Sequence, residues 1–330
     1  MGKKIIRLIS FFLSAALFAA ALSSCGLKED STGKINVRIA YFPNIIHTQA
    51  LVMKNRGTLE EKWKDVCNVT WTSFNAGPAE TEALFAGEID IGYMGPVPAI
   101  NANVKSDGDV KIISNATNAG AVLLAGKDTG ISSVKDLADK KIAIPQLGNT
   151  QHLCLLNLLS EYGLSASDVT ITASSNADIV NLMDSGRIDA AVVPEPWGTT
   201  MEKNGNAKVI SDYNELFLNG DYPSALVIAS NDFLKDHPDL TADFLEAHEE
   251  ATLFIQEHPE DMQEIVNTEI KNATGKSLDP DVIQSAFSRI KADSTLNTEA
   301  IMTFADISKQ EGFIRSVPEE EDVFVTEFSP

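Results

Sequence analysis

"LFAGEIDIGYMGPVPA" at residues 84–99 is echoed by "LMDSGRIDAAVVPEPW" at 182–197. Each stretch carries an apolar helix end, a glycine (Gly87, Gly186), an Ile-Asp pair, a short apolar strand and a Pro-x-Pro. A glycine suits the left-handed position just past a helix, and a proline makes the turn after a strand rigid. Two α/β units of one design predict two lobes. In open α/β sheets ligands bind beyond the carboxyl ends of the strands. That rule puts Tyr93, Met94, Gly95 and Pro96 of one unit, and Pro194, Glu195, Pro196 and Trp197 of the other, at a candidate site.

Outward from this pair, strand-like and helix-like runs alternate. Strands are expected at 35–42, 68–74, 89–94, 110–117, 120–127, 141–145, 168–174, 188–194 and 225–230. Helices are expected between them, one interrupted at Gly57 and one capped by Ser132 or Ser133. The alternation predicts α/β architecture with largely parallel sheets. After about residue 231 the pattern becomes helix only: Leu240, Phe244, Leu245, Ala251, Phe254 and Ile255 share one stripe. Pro259 and Pro280 each open a further helix at its first position. The acidic "VPEEEDVFVTEF" at 317–328 is expected to be a peripheral tail.

The first 24 residues read as a secretory signal: Lys3, Lys4 and Arg7 precede the apolar "LISFFLSAALFAAAL". This segment is too short and wrongly flanked for a membrane span. Leu22-Ser23-Ser24-Cys25 resembles the lipobox of bacterial lipoproteins. The resemblance implies cleavage before Cys25, a lipid on that cysteine, and 25–33 as a polar tether. Cleavage removes three basic residues and takes the formal charge from −21 to −24, leaving 306 residues, enough for one large domain or two ordinary ones. So acidic a surface argues against nucleic acid and other polyanions. It does not forbid a small anion held by local dipoles. Cys67 and Cys154 are too few for a disulfide scaffold.

A fourth strand-end segment is "PQLGNTQH" at 145–152, between the strand run "KKIAI" and an amphipathic helix. Asn149 or Thr150 can cap that helix. Its first amides can equally be left for an oxygen-rich ligand. Tyr41 to Asn44, Tyr93 to Pro96, Gly148 to His152 and Pro194 to Trp197 then form four polar or aromatic loops at equivalent strand ends. None of them contains Arg or Lys, so an anion would rely on helix-end amides rather than on a guanidinium fork.

Taken in order, "AYFPNIIHTQALV", "GEIDIGYMGPVPAINA", "IPQLGNTQHL", "GRIDAAVVPEPW" and "FLKDHPDLTADFLEAH" resemble the solute-binding proteins of ABC importers in the nitrate, taurine and aliphatic-sulfonate group. The resemblance spans residues 35 to about 315. It implies a two-lobed periplasmic-binding-protein-like fold of type II, with two α/β sheets joined by a double-crossover hinge. One lobe would hold 34–124 and 226–330, the other 125–225, with crossovers near Ala125–Lys127 and Pro223–Ala225.

The resemblance further implies a monomer, lipid-anchored outside the cytoplasmic membrane, that closes on a small polar or anionic solute and hands it to a permease. No Walker sequence is present, so the driving ATPase would be a separate chain. The implied ligand-binding residues are Tyr41, Phe42, Asn44, His47, Asn75, Gly77, Tyr93, Met94, Gly95, Asn118, Gly148, Asn149, Thr150, Gln151, Glu195 and Trp197. Thr150 and nearby amides would hold the head group, while Tyr41, Phe42 and Trp197 would supply walls. Glu195 would either accept from an amine or brace its own loop.

No cofactor or metal is expected, since His47, His152, Cys154 and Glu195 lack close ligand spacing. The alternative is an enzyme related to pyrimidine-precursor synthases on the same fold. It would need His47, His152 and Cys154 to meet in the cleft.

Overall fold

The computed structural model describes residues 33–328. The signal segment, Cys25 and nearly all of the tether lie outside the described residues. Among the described residues eleven strands follow in chain order: β1 (Ile35–Tyr41), β2 (Cys67–Ser73), β3 (Ile91–Met94), β4 (Val110–Ala119), β5 (Ala121–Gly126), β6 (Lys141–Ile144), β7 (Thr170–Ala173), β8 (Ala190–Pro194), β9 (Ala207–Ser211), β10 (Pro223–Ser230) and β11 (Ile290–Ala292). They form two sheets, ordered β11-β4-β10-β3-β1-β2 and β7-β6-β8-β5-β9.

Set side by side, β2-β1-β3-β10-β4 and β7-β6-β8-β5-β9 are one topology built twice. The strand after each "GEID" or "GRID" motif occupies the same place in its sheet, so the internal echo is an architectural repeat. Gly87 and Gly186 take left-handed φ values of 68° and 64°, as the helix ends require. The sheets are mixed rather than largely parallel. In each, the strand that crosses over from the other half, β10 or β5, runs antiparallel to both neighbours.

The chain passes from the first sheet to the second at Ala119–Ala121, earlier than the expected Ala125–Lys127. Ala119 and Gly120 have φ of 62° and 81° and turn the chain there, and the apolar run through Ala125 belongs to the second sheet. The return runs through 212–222 and ends as β10 begins at Pro223. One apolar cluster carries Ala40, Met94 and Ile228 of the first sheet together with Leu123, Ile142 and Val192 of the second. The two halves are therefore in direct contact.

Two expectations for the C-terminal part are corrected. It is not helix only, because β11 adds an edge strand to the first sheet by pairing with β4. The acidic end is not peripheral: Val323 is fully buried, and the Val325 N–H donates to the Ile112 carbonyl at 3.1 Å. The apolar stripe of the long helix Pro238–Glu257 packs as expected, with Leu240, Phe244, Leu245, Ala251 and Ile255 buried. Cys67 and Cys154 are both free and buried. Among the described residues no helix is long and apolar enough to cross a membrane.

Candidate functional site

A narrow cleft lies where the carboxyl ends of β1, β3 and β6 to β8 face one another. It is lined by Phe42, Asn44, Ile46, His47, Asn75, Ala76, Gly77, Gly95, Pro98, Pro145, Asn149, Thr150, Gln151, Asn176, Pro194 and Ser224, and it encloses about 30 Å³. That is room for one or two waters, the scale of a head group rather than of a large organic molecule.

Helix starts converge on it from both sheets. Asn44 precedes the short 3-10 helix Ile45–His47, and its Oδ1 accepts from the Ile46 N–H at 2.9 Å. Gly77 and Asn176 are the first residues of helices Gly77–Phe85 and Asn176–Asp184. Gly95 precedes helix Pro96–Lys105, and Asn149 precedes helix Thr150–Glu161. The repeated topology makes this convergence unavoidable, because each lining helix follows a strand whose carboxyl end faces the cleft. Helix starts carry partial positive charge and amides without intrahelical acceptors. In helix Thr150–Glu161, the Asn149 side chain takes the His152 N–H at 2.9 Å and its carbonyl takes that of Leu153 at 3.3 Å. Capping thus leaves the amides of Thr150 and Gln151 without an intrahelical acceptor.

The polar atoms at this point are poorly satisfied by protein. Thr150 Oγ1 and Asn176 Oδ1 are buried and have no protein hydrogen-bond partner, a state that costs about 1–3 kcal/mol per group. Gly95 brings the first sheet against the second, and a Cβ at this position would overlap Thr150 Oγ1. No Lys, Arg, Asp or Glu lines the cleft. His47 does not supply a charge, because burial lowers its pKa to about 3. Its Nδ1 accepts from the Phe42 N–H at 3.2 Å, which leaves Nε2 as the protonated, neutral donor.

Of the residues implied by sequence, the structure gathers Phe42, Asn44, His47, Asn75, Gly77, Gly95, Asn149, Thr150 and Gln151. The remaining seven are placed elsewhere. Tyr41 turns to the opposite face of the first sheet, edge-on to Trp71 at 6.1 Å, since neighbouring strand residues face opposite ways. Tyr93 is core, its hydroxyl 2.8 Å from His248 Nδ1, and Met94 is fully buried in the apolar cluster. Asn118 takes an N–H from the Asn115 side chain at 3.0 Å. Gly148 donates its N–H to His152 Nδ1 at 3.1 Å, holding the loop rather than lining the cleft. Glu195 is fully buried and paired with Arg289 at 2.8 Å, so it braces its loop. Trp197 opens the next helix and packs, partly buried, against an apolar cluster that includes Val122, Val193 and Met201. Asn176, Pro145, Pro98 and Ser224 were not foreseen; Asn176 was legible as the start of the helix after β7.

Replacing Thr150 by Ala is therefore expected to weaken solute binding about tenfold, ~1.4 kcal/mol. Trp197→Ala is expected to leave affinity within about twofold while lowering stability. Calorimetric titration of both variants with one solute separates these outcomes.

The catalytic alternative needs His47, His152 and Cys154 together in the cleft, and only His47 lines it. Cys154 is fully buried and its thiol pKa is raised by desolvation, so the thiolate that attacks is disfavoured. His152 lies outside the cleft lining, its ring 5.0 Å from that of Phe313. Among the described residues no group of three or more His, Cys, Asp or Glu side chains has metal-binding geometry.

One turn along from Gly77, Glu80 is fully buried, packed over the α-carbon of Gly92, and both its oxygens lack partners. Burial raises its pKa well above 4.5. The folded state thus prefers the protonated acid, and stability falls as pH rises from the unfolded value toward the folded one. Relative to Glu80→Gln, the native protein is expected to lose stability between about pH 5 and pH 6. Urea unfolding at the two pH values tests this, and parallel pH profiles for the two proteins would contradict it.

A sequence model of the NMT1-like family matches residues 30–270. The taurine-binding periplasmic protein of Escherichia coli (strain K12) is 27% identical over 211 residues, which cover 64% of this chain and 63% of that one. The match thus spans somewhat under two thirds of that relative's length. In structure, the chain resembles the alkanesulfonate-binding protein of Xanthomonas axonopodis pv. citri bound to MOPS, at a TM-score of 0.72 and 22% identity, covering 88% and 98% of the two chains. It also resembles the ligand-binding component of an ABC-type import system from Staphylococcus aureus, solved with zinc bound, at a TM-score of 0.74 and 18% identity, covering 89% and 97%. These structural likenesses establish the two-sheet binding-protein fold. The relatives named here are each described as ligand-binding proteins.

Proposed function

The chain belongs to the NMT1-like family, and from that premise we propose that it is the solute-binding component of an ABC importer, taking a small anionic solute with a sulfonate or nitrate-like head. The observation that carries this reading is the ring of helix starts around the unpartnered Thr150 Oγ1, whose hydroxyl can donate. A head group with several acceptor oxygens suits amides, the Thr150 hydroxyl and a neutral His47 donor. An anion fits because helix dipoles favour it even without a cationic side chain.

In this reading the lobes are about 34–120 with 223–328, and 121–222. They close on the solute by hinge motion. The chain acts as a lipid-anchored monomer through Cys25, outside the cytoplasmic membrane, and delivers its solute to a permease driven by a separate ATPase. Its acidic surface is compatible with this role because the site is built from local dipoles.

A thermal-shift panel tests the proposal, with nitrate, sulfate, taurine, alkanesulfonates, phosphonates, bicarbonate, pyrimidines and divalent metals. A true solute at a hundred times its dissociation constant adds ~2.7 kcal/mol, a rise of a few degrees in Tm at this size. A shift with a sulfonate or nitrate, roughly halved by Thr150→Ala at the same concentration, is the expected result. Shifts with pyrimidines or metals alone would overturn the assignment.

A further inference from the structure

Arg289 joins helix Pro280–Phe287 to β11, the edge strand of the first sheet, and Ile290 beside it pairs with Ala119 of β4. Its guanidinium nevertheless reaches only to the second half. One terminal nitrogen donates to Glu195 Oε1 at 2.8 Å and Thr199 Oγ1 at 3.0 Å, and the other to Glu202 Oε2 at 2.9 Å. Nε lies 3.2 Å from Asp212 Oδ1. Glu195, Thr199 and Glu202 follow β8, and Asp212 follows β9, both in the second sheet.

The position of this clasp is as informative as its bonds. Glu195 N–H donates to the Gly120 carbonyl at 2.7 Å, on the first passage between the sheets. Ile290 fills the space that a Cβ on Gly120 would take. Asp212 stands where the second passage begins. Glu195 also directly follows Pro194, which lines the cleft and pairs with Ala121. One side chain fixed to the first sheet thus holds both passages and the residue behind the cleft wall. A planar fork hydrogen-bonded to three acceptors and ion-paired with a fourth fixes orientation as well as distance, which the point charge of a lysine does not.

We propose that Arg289 is a positioning residue for solute binding: it narrows the range of angles the two halves adopt about the hinge, and so steers the geometry in which Thr150 meets Gly95, without touching the solute. The inference rests on the binding reading above, so its test has one arm that needs no solute.

The first arm is pulsed dipolar EPR on the solute-free protein. Spin labels go on Phe85→Cys and Tyr162→Cys, both exposed and on opposite halves, in a Cys25→Ser background with Cys67 and Cys154 buried. The second arm is the dissociation constant for taurine or butanesulfonate, whichever the panel identifies. Arg289→Lys is expected to broaden the inter-label distance distribution and to weaken binding at least about tenfold. The pair Arg289→Met with Glu195→Gln removes the buried charges together and so guards against simple unfolding; it is expected to do the same. An unchanged distribution in both folded variants, or a broadened one with affinity within about twofold, overturns the proposal. If no panel compound binds the native protein, the functional reading fails while the distance arm still decides whether Arg289 sets the angle.

Discussion

Gly95→Ala is expected to weaken solute binding about a hundredfold, ~2.8 kcal/mol, although position 95 has no side chain to contribute. The backbone there has φ −70° and ψ 163°, which alanine adopts freely, so the effect does not come from strain. It comes from overlap between the added methyl and Thr150 Oγ1 on the opposite half. Either the halves stay apart or the threonine turns away, and both remove Thr150 from the head group. The account therefore predicts non-additivity: Gly95→Ala with Thr150→Ala should bind nearly as well as Thr150→Ala alone. Calorimetric titration of the three variants checks this. Additive losses would mean that Gly95 acts by some route other than its approach to Thr150.

Glu195→Ala is expected to cost about 3 kcal/mol of unfolding free energy. The carboxylate is fully buried, and one oxygen accepts from Arg289 while the other accepts from the Thr199 N–H at 2.9 Å. Truncation strands that amide and leaves Arg289, which is only 12% exposed, with its outer partners alone. Glu202 and Asp212 are 40% and 39% exposed and continue to neutralise part of the charge, which keeps the loss near the lower end for a broken buried pair. Glu202→Ala is the control: its half-exposed bond is expected to contribute under about 1 kcal/mol. Urea unfolding of the two variants measures both, and similar losses would contradict the ranking.

What the sequence disclosed follows from how local each feature is. The repeated glycine, Ile-Asp and strand pattern marks two equivalent units because turn chemistry and burial act within a few residues. The same logic exposed the head of helix Thr150–Glu161, where small polar residues sit between an apolar strand and an apolar helix. Facing was harder to read. Ile39 to Tyr41 and Ile91 to Met94 are buried on both sides of the first sheet, so no polar alternation there distinguishes Phe42, in the cleft, from Tyr41, behind it.

Long-range pairing left no local trace at all. Arg289 is an ordinary basic residue after a short helix, and Glu195 an ordinary acid between two prolines. Only the return of the C-terminal segment beside Gly120 brings them together. Three-residue β11 was hidden for the same reason: it is defined by its partner β4 rather than by its own pattern. Ser224 joins the cleft through topology, which composition does not report.

The central claim is that a solute's oxygen-rich head lies among the helix starts of both halves. The most direct measurement is a crystal structure of the protein with the solute that gives the largest thermal shift. The account predicts head-group oxygens within hydrogen-bond distance of Thr150 Oγ1 and of the Thr150 and Gln151 amides, with Asn176 and His47 at the rim and no charged side chain in contact. A head group bound instead to a lysine or arginine, or seated away from the Gly95–Thr150 contact, would contradict it.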